Sequence, residues 1–165
     1  MAAEAHEDSL HLVLADEAAT RALAGRLAEV LEPGLLITLS GQLAAGKTFL
    51  VRALLGALGH VGKVKSPTFT LVESYPLARF TVHHFDLYRL ADGQELHFIG
   101  FDDYLSPHTL CLVEWPERGA DSLPPADLHL SIEVLAIDRR AVSLSAGTPA
   151  GRRLLALLKN RSSEI

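Results

Sequence analysis

The segment from Gly41 to Thr48 reads Gly-Gln-Leu-Ala-Ala-Gly-Lys-Thr and fits the pattern G-x-x-x-x-G-K-S/T. In this pattern the glycines let the backbone wrap closely, so that successive amides and the start of the next helix point at phosphate oxygens. The lysine would then reach the β- and γ-phosphates, and the hydroxyl would bind Mg²⁺. We therefore predict a phosphate-binding loop (P-loop) whose nucleotide-binding residues are Gly41, Gln42, Leu43, Ala44, Ala45, Gly46, Lys47, Thr48 and Phe49.

Two acidic residues end predicted strands. Asp86 closes the stretch from Phe80, and Glu114 closes the stretch from Thr109. Because Mg²⁺ prefers a few protein oxygens plus water and phosphate, a carboxylate is expected at the end of a strand beside the loop. That residue is ordinarily Asp, so Glu114 fits by position but not by residue type. Spacing alone leaves open, for each of the two, the alternative of a solvated strand-end carboxylate.

Two further positions have a functional and a plain interpretation. In Ser66-Pro67-Thr68, Thr68 would contact the γ-phosphate or Mg²⁺ only while the nucleotide is intact, although a turn that enters a strand is the simpler interpretation. Trp115 would stack on a nucleobase or fill the core. The residues alone decide neither case.

The histidines do not indicate a zinc site. His83 and His84 are adjacent in a predicted strand, where successive side chains point to opposite faces. No His, Cys and Glu spacing in the chain supplies a zinc ligand set. We therefore expect no structural zinc.

Hydrophobic periodicity predicts the elements that position these residues. A helix starts at Asp16 and closes at Pro33-Gly34, and a short apolar strand precedes the P-loop. The remaining predicted elements are a helix over 47–58 that Gly59 stops, a hairpin of strands 68–74 and 80–86 around Tyr75-Pro76, strands 109–114, 128–134 and 141–145, and a last helix that Thr148-Pro149 opens. We expect one α/β domain over residues 1–165, with a mixed sheet flanked by helices.

Composition limits the class of protein. The chain has 165 residues, of which 48% are apolar and 21% charged, and a formal net charge of −5. Met1 to Ser9 lacks the order of a secretory signal, and no apolar run approaches the ~18 residues of a membrane span. A single cysteine, Cys111, suits a reducing compartment, so we expect a cytoplasmic protein. The acidic balance argues against a broad basic surface for DNA or RNA.

Several segments together resemble one family. They are the P-loop, Ser66-Pro67-Thr68-Phe69, His84-Phe85-Asp86-Leu87-Tyr88-Arg89, Glu95-Leu96 before Gly100, and Val113-Glu114-Trp115-Pro116-Glu117. In this order they resemble TsaE, a small bacterial ATPase family of tRNA threonylcarbamoyladenosine biosynthesis, over about Leu10 to Ser145. The chain departs from the family pattern at Gln42 and Ala44, where Asp and Gly are usual. Ala44 matters if that position needs a positive φ.

The resemblance implies the cofactors, partners and residue roles. The cofactors would be ATP and Mg²⁺, and the partners TsaD and TsaB, with tRNA reached indirectly and neither membrane nor DNA involved. Lys47 and Thr48 would serve phosphate and Mg²⁺, Glu114 would help to hold the metal, and Thr68 would belong to a switch-like loop. Asp86 and Trp115 would be functionally required.

We therefore predict slow Mg²⁺-dependent ATP hydrolysis that drives a cycle with partners. Asp86 is our candidate to orient the attacking water, with Lys47 and Glu114 as the other catalytic residues. Two alternatives remain at this level, a P-loop small-molecule kinase and a nucleotide-gated assembly module that does not hydrolyse ATP. A Ras-like GTPase is disfavoured, because the only asparagine, Asn160, precedes Arg161 and not the Lys of an Asn-Lys-x-Asp segment.

Overall fold

A computed structural model describes residues 8–162. Most of the acidic N-terminal stretch that bears on export therefore lies outside the described residues. The seven strands are β1 (Ser9–Leu14), β2 (Leu36–Gly41), β3 (Val72–Pro76), β4 (Thr81–Asp86), β5 (Thr109–Glu114), β6 (Leu128–Val134) and β7 (Arg140–Ala146). The helices are α1 (Glu17–Val30), α2 (Lys47–Ala57), α3 (Gln94–Phe98), α4 (Phe101–Tyr104) and α5 (Pro149–Ser162), with a 3-10 helix over Pro116–Ser122.

The strands form one mixed sheet in the order β1-β7-β6-β2-β5-β4-β3. The four central strands β6, β2, β5 and β4 are parallel, and antiparallel strands flank them on both sides. The mixed α/β sheet that the sequence predicts is thus confirmed. Because parallel strands end at one edge, the sheet brings the carboxyl ends of β2, β4 and β5 together, and Asp86 pairs in register with Glu114.

Apolar clusters cover both faces of this sheet. The larger cluster includes the buried face of α1, with Leu23 and Leu27, together with α2 and α5. The smaller cluster centres on Phe85 and Phe101, whose rings meet edge to face at 4.9 Å. The central strands are therefore buried on both sides, as their nearly continuous apolar runs predict.

Local capping explains where two helices begin. The Asp16 carboxylate accepts a hydrogen bond from the Ala19 amide at 2.9 Å and caps α1. The Thr148 hydroxyl accepts a hydrogen bond from the Gly151 amide at 3.1 Å and caps the start of α5. Both starts agree with the sequence predictions. Within residues 8–162 no helix is long and apolar enough to cross a membrane.

The predicted hairpin is wrong in two details. Residues 68–71 do not form a strand, because the Leu71 amide bonds to the Pro67 carbonyl at 2.7 Å and Leu71 has a φ of 70°. Tyr75 and Pro76 do not form the turn either; they end β3, and Leu77 and Phe80 close the turn. Pro76 is tolerated because β3 is an edge strand, where a missing amide leaves no neighbour unpaired.

Four elements of the structure are not among those that the sequence predicts. β1 pairs antiparallel with β7 along the edge opposite β3. The other three are short: α3, α4 and the 3-10 helix. A segment of one or two turns carries too little periodicity to be recognised without its tertiary contacts.

Candidate functional site

The P-loop connects the end of β2 to the start of α2, as the motif predicts. Gly41 has a φ of 155°, and a Cβ on it would lie 2.6 Å from the Ile132 carbonyl oxygen of β6. Gly46 has a φ of 112° where α2 begins. Both positions therefore require glycine, one because of a close backbone approach and one because of its left-handed conformation.

The two departures from the family pattern have different structural consequences. Ala44 has a φ of 64°, so the position does adopt the left-handed conformation that disfavours a Cβ. At Gln42 the contacts to the loop come from the backbone, whose carbonyl accepts hydrogen bonds from the Ala45 amide at 3.0 Å and from Lys47 Nζ at 2.8 Å. The loop keeps its shape with alanine at position 44, at the cost of local strain.

Lys47 lies inside the loop and is 4% exposed. Its Nζ donates to the Gly41 carbonyl at 2.6 Å and to that of Gln42. The same Nζ lies 4.3 Å from the centroid of the Trp115 ring, a cation–π contact. Burial lowers the pKa of the Lys47 ammonium, and the nearby carboxylates, Glu114 foremost, oppose that effect.

Thr48 and Glu114 meet across the end of the sheet. The Thr48 hydroxyl donates to Glu114 Oε1 at 3.0 Å and lies 3.2 Å from Oε2. Glu114 is 1% exposed, so it is not the solvated strand-end carboxylate of the alternative interpretation. A hydroxyl and a carboxylate are hard oxygen donors, and this pair fits the chemistry of Mg²⁺.

Asp86 is connected to the loop that contains Thr68. Asp86 Oδ1 accepts from the Tyr88 amide at 3.0 Å, and Oδ2 accepts from the Thr68 hydroxyl at 3.3 Å. Thr68 in turn bonds to the Ser66 hydroxyl at 2.7 Å. The simpler interpretation of this segment, a turn, is correct for its backbone, and the hydroxyl nevertheless reaches the candidate site.

A cavity of about 240 Å³ gathers most of the predicted residues. Its walls are residues 43–49 of the P-loop and α2, with Glu114 and Trp115. Trp115 also packs against the Tyr88 ring at 4.9 Å, so it lies at the cavity wall between lysine and tyrosine and does not fill the main core. Thr68 and Asp86 are not among the residues that line this cavity; Asp86 pairs in register with Glu114 of the cavity wall, and Thr68 is connected to it only through its hydrogen bond to Asp86.

Known proteins share this arrangement of sequence and fold. The family model of the threonylcarbamoyl adenosine biosynthesis protein TsaE matches residues 14–142. A tRNA threonylcarbamoyladenosine biosynthesis protein TsaE from Haemophilus influenzae is 41% identical over 158 residues, which cover 93% of this chain and 99% of the relative. The chain belongs to the TsaE family.

The other comparisons agree with TsaE membership. A TsaE from Bacillus subtilis is 35% identical over 127 residues, covering 77% of this chain and 79% of the relative. The crystal structure of Bacillus subtilis YdiB superimposes with a TM-score of 0.80 at 27% identity, covering 93% of this chain and 96% of that one. The resemblance inferred from the motifs is confirmed, and with it the role of the family in tRNA threonylcarbamoyladenosine biosynthesis.

Two residues of this TsaE-family site escaped the sequence analysis. Arg140, which belongs to none of the motifs above, donates from Nε to the Ala45 carbonyl of the P-loop at 2.8 Å. His84, considered only as a metal ligand, lies 2.5 Å from Glu114 through its Nε2 atom. A signal for His84 existed, because it lies two residues before Asp86 and so on the same face of β4. None existed for Arg140, which is 95 residues from its partner.

His83 points to the other face of β4, as the alternation predicts. Its Nδ1 atom lies 2.7 Å from the Ser74 hydroxyl, while His84 is fully buried. Among residues 8–162, no group of three or more His, Cys, Asp or Glu side chains is arranged to hold a metal ion. A metal in this site would therefore depend on Thr48, Glu114 and the phosphates of a nucleotide, as in other P-loop proteins.

Proposed function

We propose that this TsaE-family protein binds Mg²⁺-ATP and hydrolyses it, driving the threonylcarbamoyl transfer cycle of TsaD and TsaB, with tRNA reached through that complex. The observation that carries the proposal is that P-loop residues 43–46, Lys47 and the Thr48–Glu114 pair, whose oxygens lie 3.0 Å apart, line one cavity. Phosphoryl transfer depends on positioning and on charge stabilisation, and these groups supply both.

Thr48 and Glu114 are the residues that would hold Mg²⁺. Their oxygens face each other at the first turn of α2, directly after residues 44–46 of the P-loop. A Mg²⁺ ion held by these two residues would supply positive charge against the phosphate oxygens of a nucleotide. Lys47 adds a fixed positive charge, and its low exposure strengthens its interaction with an anion.

A second cavity, of about 270 Å³, supports a nucleotide over inorganic phosphate as the ligand. It shares residues 44–46 and Phe49 with the 240 Å³ cavity described above, and its wall also includes the apolar side chains of Ile137 and Val142. Arg140 connects this wall to the loop through the Ala45 carbonyl. This second cavity combines apolar side chains with the polar groups of Asp16, Glu17 and Asp138, and such a wall suits a nucleobase. The chain also lacks the guanine-binding Asn-Lys-x-Asp segment.

Asp86 is our candidate for the residue that orients the attacking water. Two hydrogen bonds, from the Tyr88 amide and the Thr68 hydroxyl, hold its carboxylate in one orientation. Thr68 belongs to the loop over 66–71, and its hydrogen bond to Asp86 connects that loop to the candidate site. If Asp86 orients water beside the γ-phosphate, loss of the γ-phosphate would alter this hydrogen bond and the order of the loop. Hydrolysis would thereby be coupled to a surface that partners can contact.

Partners are expected to complete the site. Arg89 is the arginine nearest in sequence to Asp86 and thus an in-cis candidate for an arginine finger, but it lies over the ring of Phe69, 4.2 Å from its centroid. A missing arginine finger lowers the hydrolysis rate by about 10³ to 10⁵. The isolated protein should therefore be slow, and TsaD with TsaB should accelerate it. Turnover at ordinary enzyme rates by the isolated protein would contradict partner completion.

The direct test combines calorimetry with phosphate release. Lys47→Ala should weaken Mg²⁺-ATP binding about 10- to 100-fold, as expected for loss of a charge-assisted hydrogen bond. Lys63→Ala, which removes an exposed lysine beyond α2, is the matched control and should bind like the wild type. Absence of binding heat at millimolar ATP in the wild type would reject the proposal.

Two further assays separate the alternatives. Phosphate release without any acceptor excludes a small-molecule kinase as the primary activity. In a reconstituted reaction with TsaD, TsaB and tRNA, Lys47→Ala should lose multiple-turnover modification. If Asp86→Ala binds ATP and still supports many rounds, the protein is a nucleotide-gated module that does not need hydrolysis.

A further inference from the structure

Within residues 8–162 the side chain of His84 has one polar partner, the candidate metal ligand Glu114. The ring is fully buried in β4, and its Nε2 lies 2.5 Å from Glu114 Oε2. The Oε1 atom of the same carboxylate accepts a hydrogen bond from the Thr48 hydroxyl at 3.0 Å. Glu114 is thus held between the first turn of α2 on one side and β4 on the other.

The chemistry of the two groups gives the direction of this hydrogen bond. An ionised carboxylate only accepts hydrogen bonds, so the His84 ring donates from Nε2. Within the described residues the other ring nitrogen, Nδ1, is buried and has no hydrogen-bond partner. A buried imidazole with one unsatisfied nitrogen is less favourable for packing alone than an apolar side chain. The contact with Glu114 accounts for a histidine at this position.

The type of acid at position 114 explains why it needs an anchor. A glutamate has one more rotatable bond than the aspartate usual at this strand end, so its carboxylate samples more positions. The Thr48 hydroxyl restrains Oε1, but Thr48 would itself bind the metal. A second restraint that does not compete for the metal must come from another side chain, and His84 supplies it through Oε2.

We propose that His84 is a positioning residue that holds the Glu114 carboxylate toward Thr48 and so sets the affinity of the site for Mg²⁺. This inference rests on the proposed function, because it takes Thr48 and Glu114 as the residues that hold Mg²⁺. Hydrogen bonds to a metal-binding carboxylate change metal affinity by about 10- to 100-fold. His84 acts through Glu114 and touches neither metal nor nucleotide.

The test compares variants with and without a donor at position 84. His84→Met removes the donor and keeps an apolar side chain of similar length, and His84→Gln keeps an N–H donor. His83→Leu, on the opposite face of the same strand, is the matched control. Binding of a non-hydrolysable ATP analogue is measured by calorimetry in EDTA and across a Mg²⁺ titration, together with the melting temperature of each variant.

We expect His84→Met to bind the analogue within about twofold of wild type in EDTA and to need about 10- to 100-fold more Mg²⁺ for tight binding. His84→Gln should recover most of the loss, and His83→Leu should behave as wild type. In a Glu114→Gln background, His84→Met should add no further loss. If His84→Met fails to fold, His84→Gln and His84→Leu carry the same comparison.

Specific outcomes overturn the proposal. A donor-free variant that keeps the wild-type Mg²⁺ requirement, or a His84→Gln protein as impaired as the donor-free variants, excludes positioning through the hydrogen bond. A loss that is equal in EDTA and in Mg²⁺ identifies a general structural role. If the wild type itself binds the analogue with no Mg²⁺ dependence, the proposed function fails and this inference fails with it.

Discussion

Replacement of Ala44 by glycine should stabilise this protein, although it removes a side chain. Ala44 has a φ of 64°, and a left-handed conformation costs a residue with a Cβ about 1–2 kcal/mol. Relief of this strain is partly offset, by about 0.5–1 kcal/mol, because glycine gives the unfolded chain more conformational entropy. The Ala44 side chain is exposed, so little packing is lost. The net expectation is a gain of about 0.5–1 kcal/mol, or roughly 1–4 °C in melting temperature.

Ala45→Gly provides the matched control one residue away. Ala45 is fully buried and does not have a positive φ, so its replacement relieves no strain. It loses a buried methyl group and adds chain entropy, which together destabilise by about 1–2 kcal/mol. Urea and thermal denaturation of wild type and both variants measure the difference. Equal destabilisation by both substitutions would refute the strain at Ala44.

Other predictions test the loop, the histidines and the cysteine. Gly41→Ala places a methyl 2.6 Å from the Ile132 carbonyl, so we expect about 1–3 kcal/mol lower stability in urea and weaker ATP binding; wild-type values of both would contradict the geometry. Burial lowers the pKa of His83 and His129, so near and below about pH 6.5 the unfolded chain binds more protons than the folded chain. The free energy of unfolding therefore decreases as the pH is lowered, by at most about 1.4 kcal/mol per pH unit for each histidine. His129→Gln should flatten that dependence between about pH 7.5 and pH 5.5, and an unchanged slope would exclude this contribution. Burial raises the pKa of Cys111 to about 12, so a disulfide reagent at neutral pH should label the thiol only as fast as the protein unfolds, and rapid labelling of the folded protein would show the thiol to be accessible.

Local sequence patterns predicted the parts of the site that depend on local geometry. The P-loop motif fixes its own backbone conformation through glycines, and the structure has α2 beginning at Lys47 as predicted. The strand over 109–114 was predicted to the residue because its apolar run ends at a charged side chain. That position makes Glu114 a candidate, the resemblance to TsaE implies its metal-holding role, and the structure has it against Thr48.

Irregular local structure limited the prediction elsewhere. The segment over 68–71 has the composition of a strand, yet a hydrogen bond from Leu71 to Pro67 closes it as a turn. Tyr75-Pro76 is typical of a turn, and only the position of β3 at the sheet edge allows Pro76 to end a strand. Such outcomes depend on which strands become neighbours, and this information is absent from a short window of residues.

The sequence by itself determined the P-loop between a strand and a helix, the helix that follows it and the two acidic strand ends, because each depends on residues within one or two turns of chain. The tertiary structure decided which side chains meet there. His84 reaches Glu114 across 30 residues, and Arg140 reaches Ala45 across 95. Those contacts follow from strand order and register, which are set when the sheet buries its two faces and not by any local period.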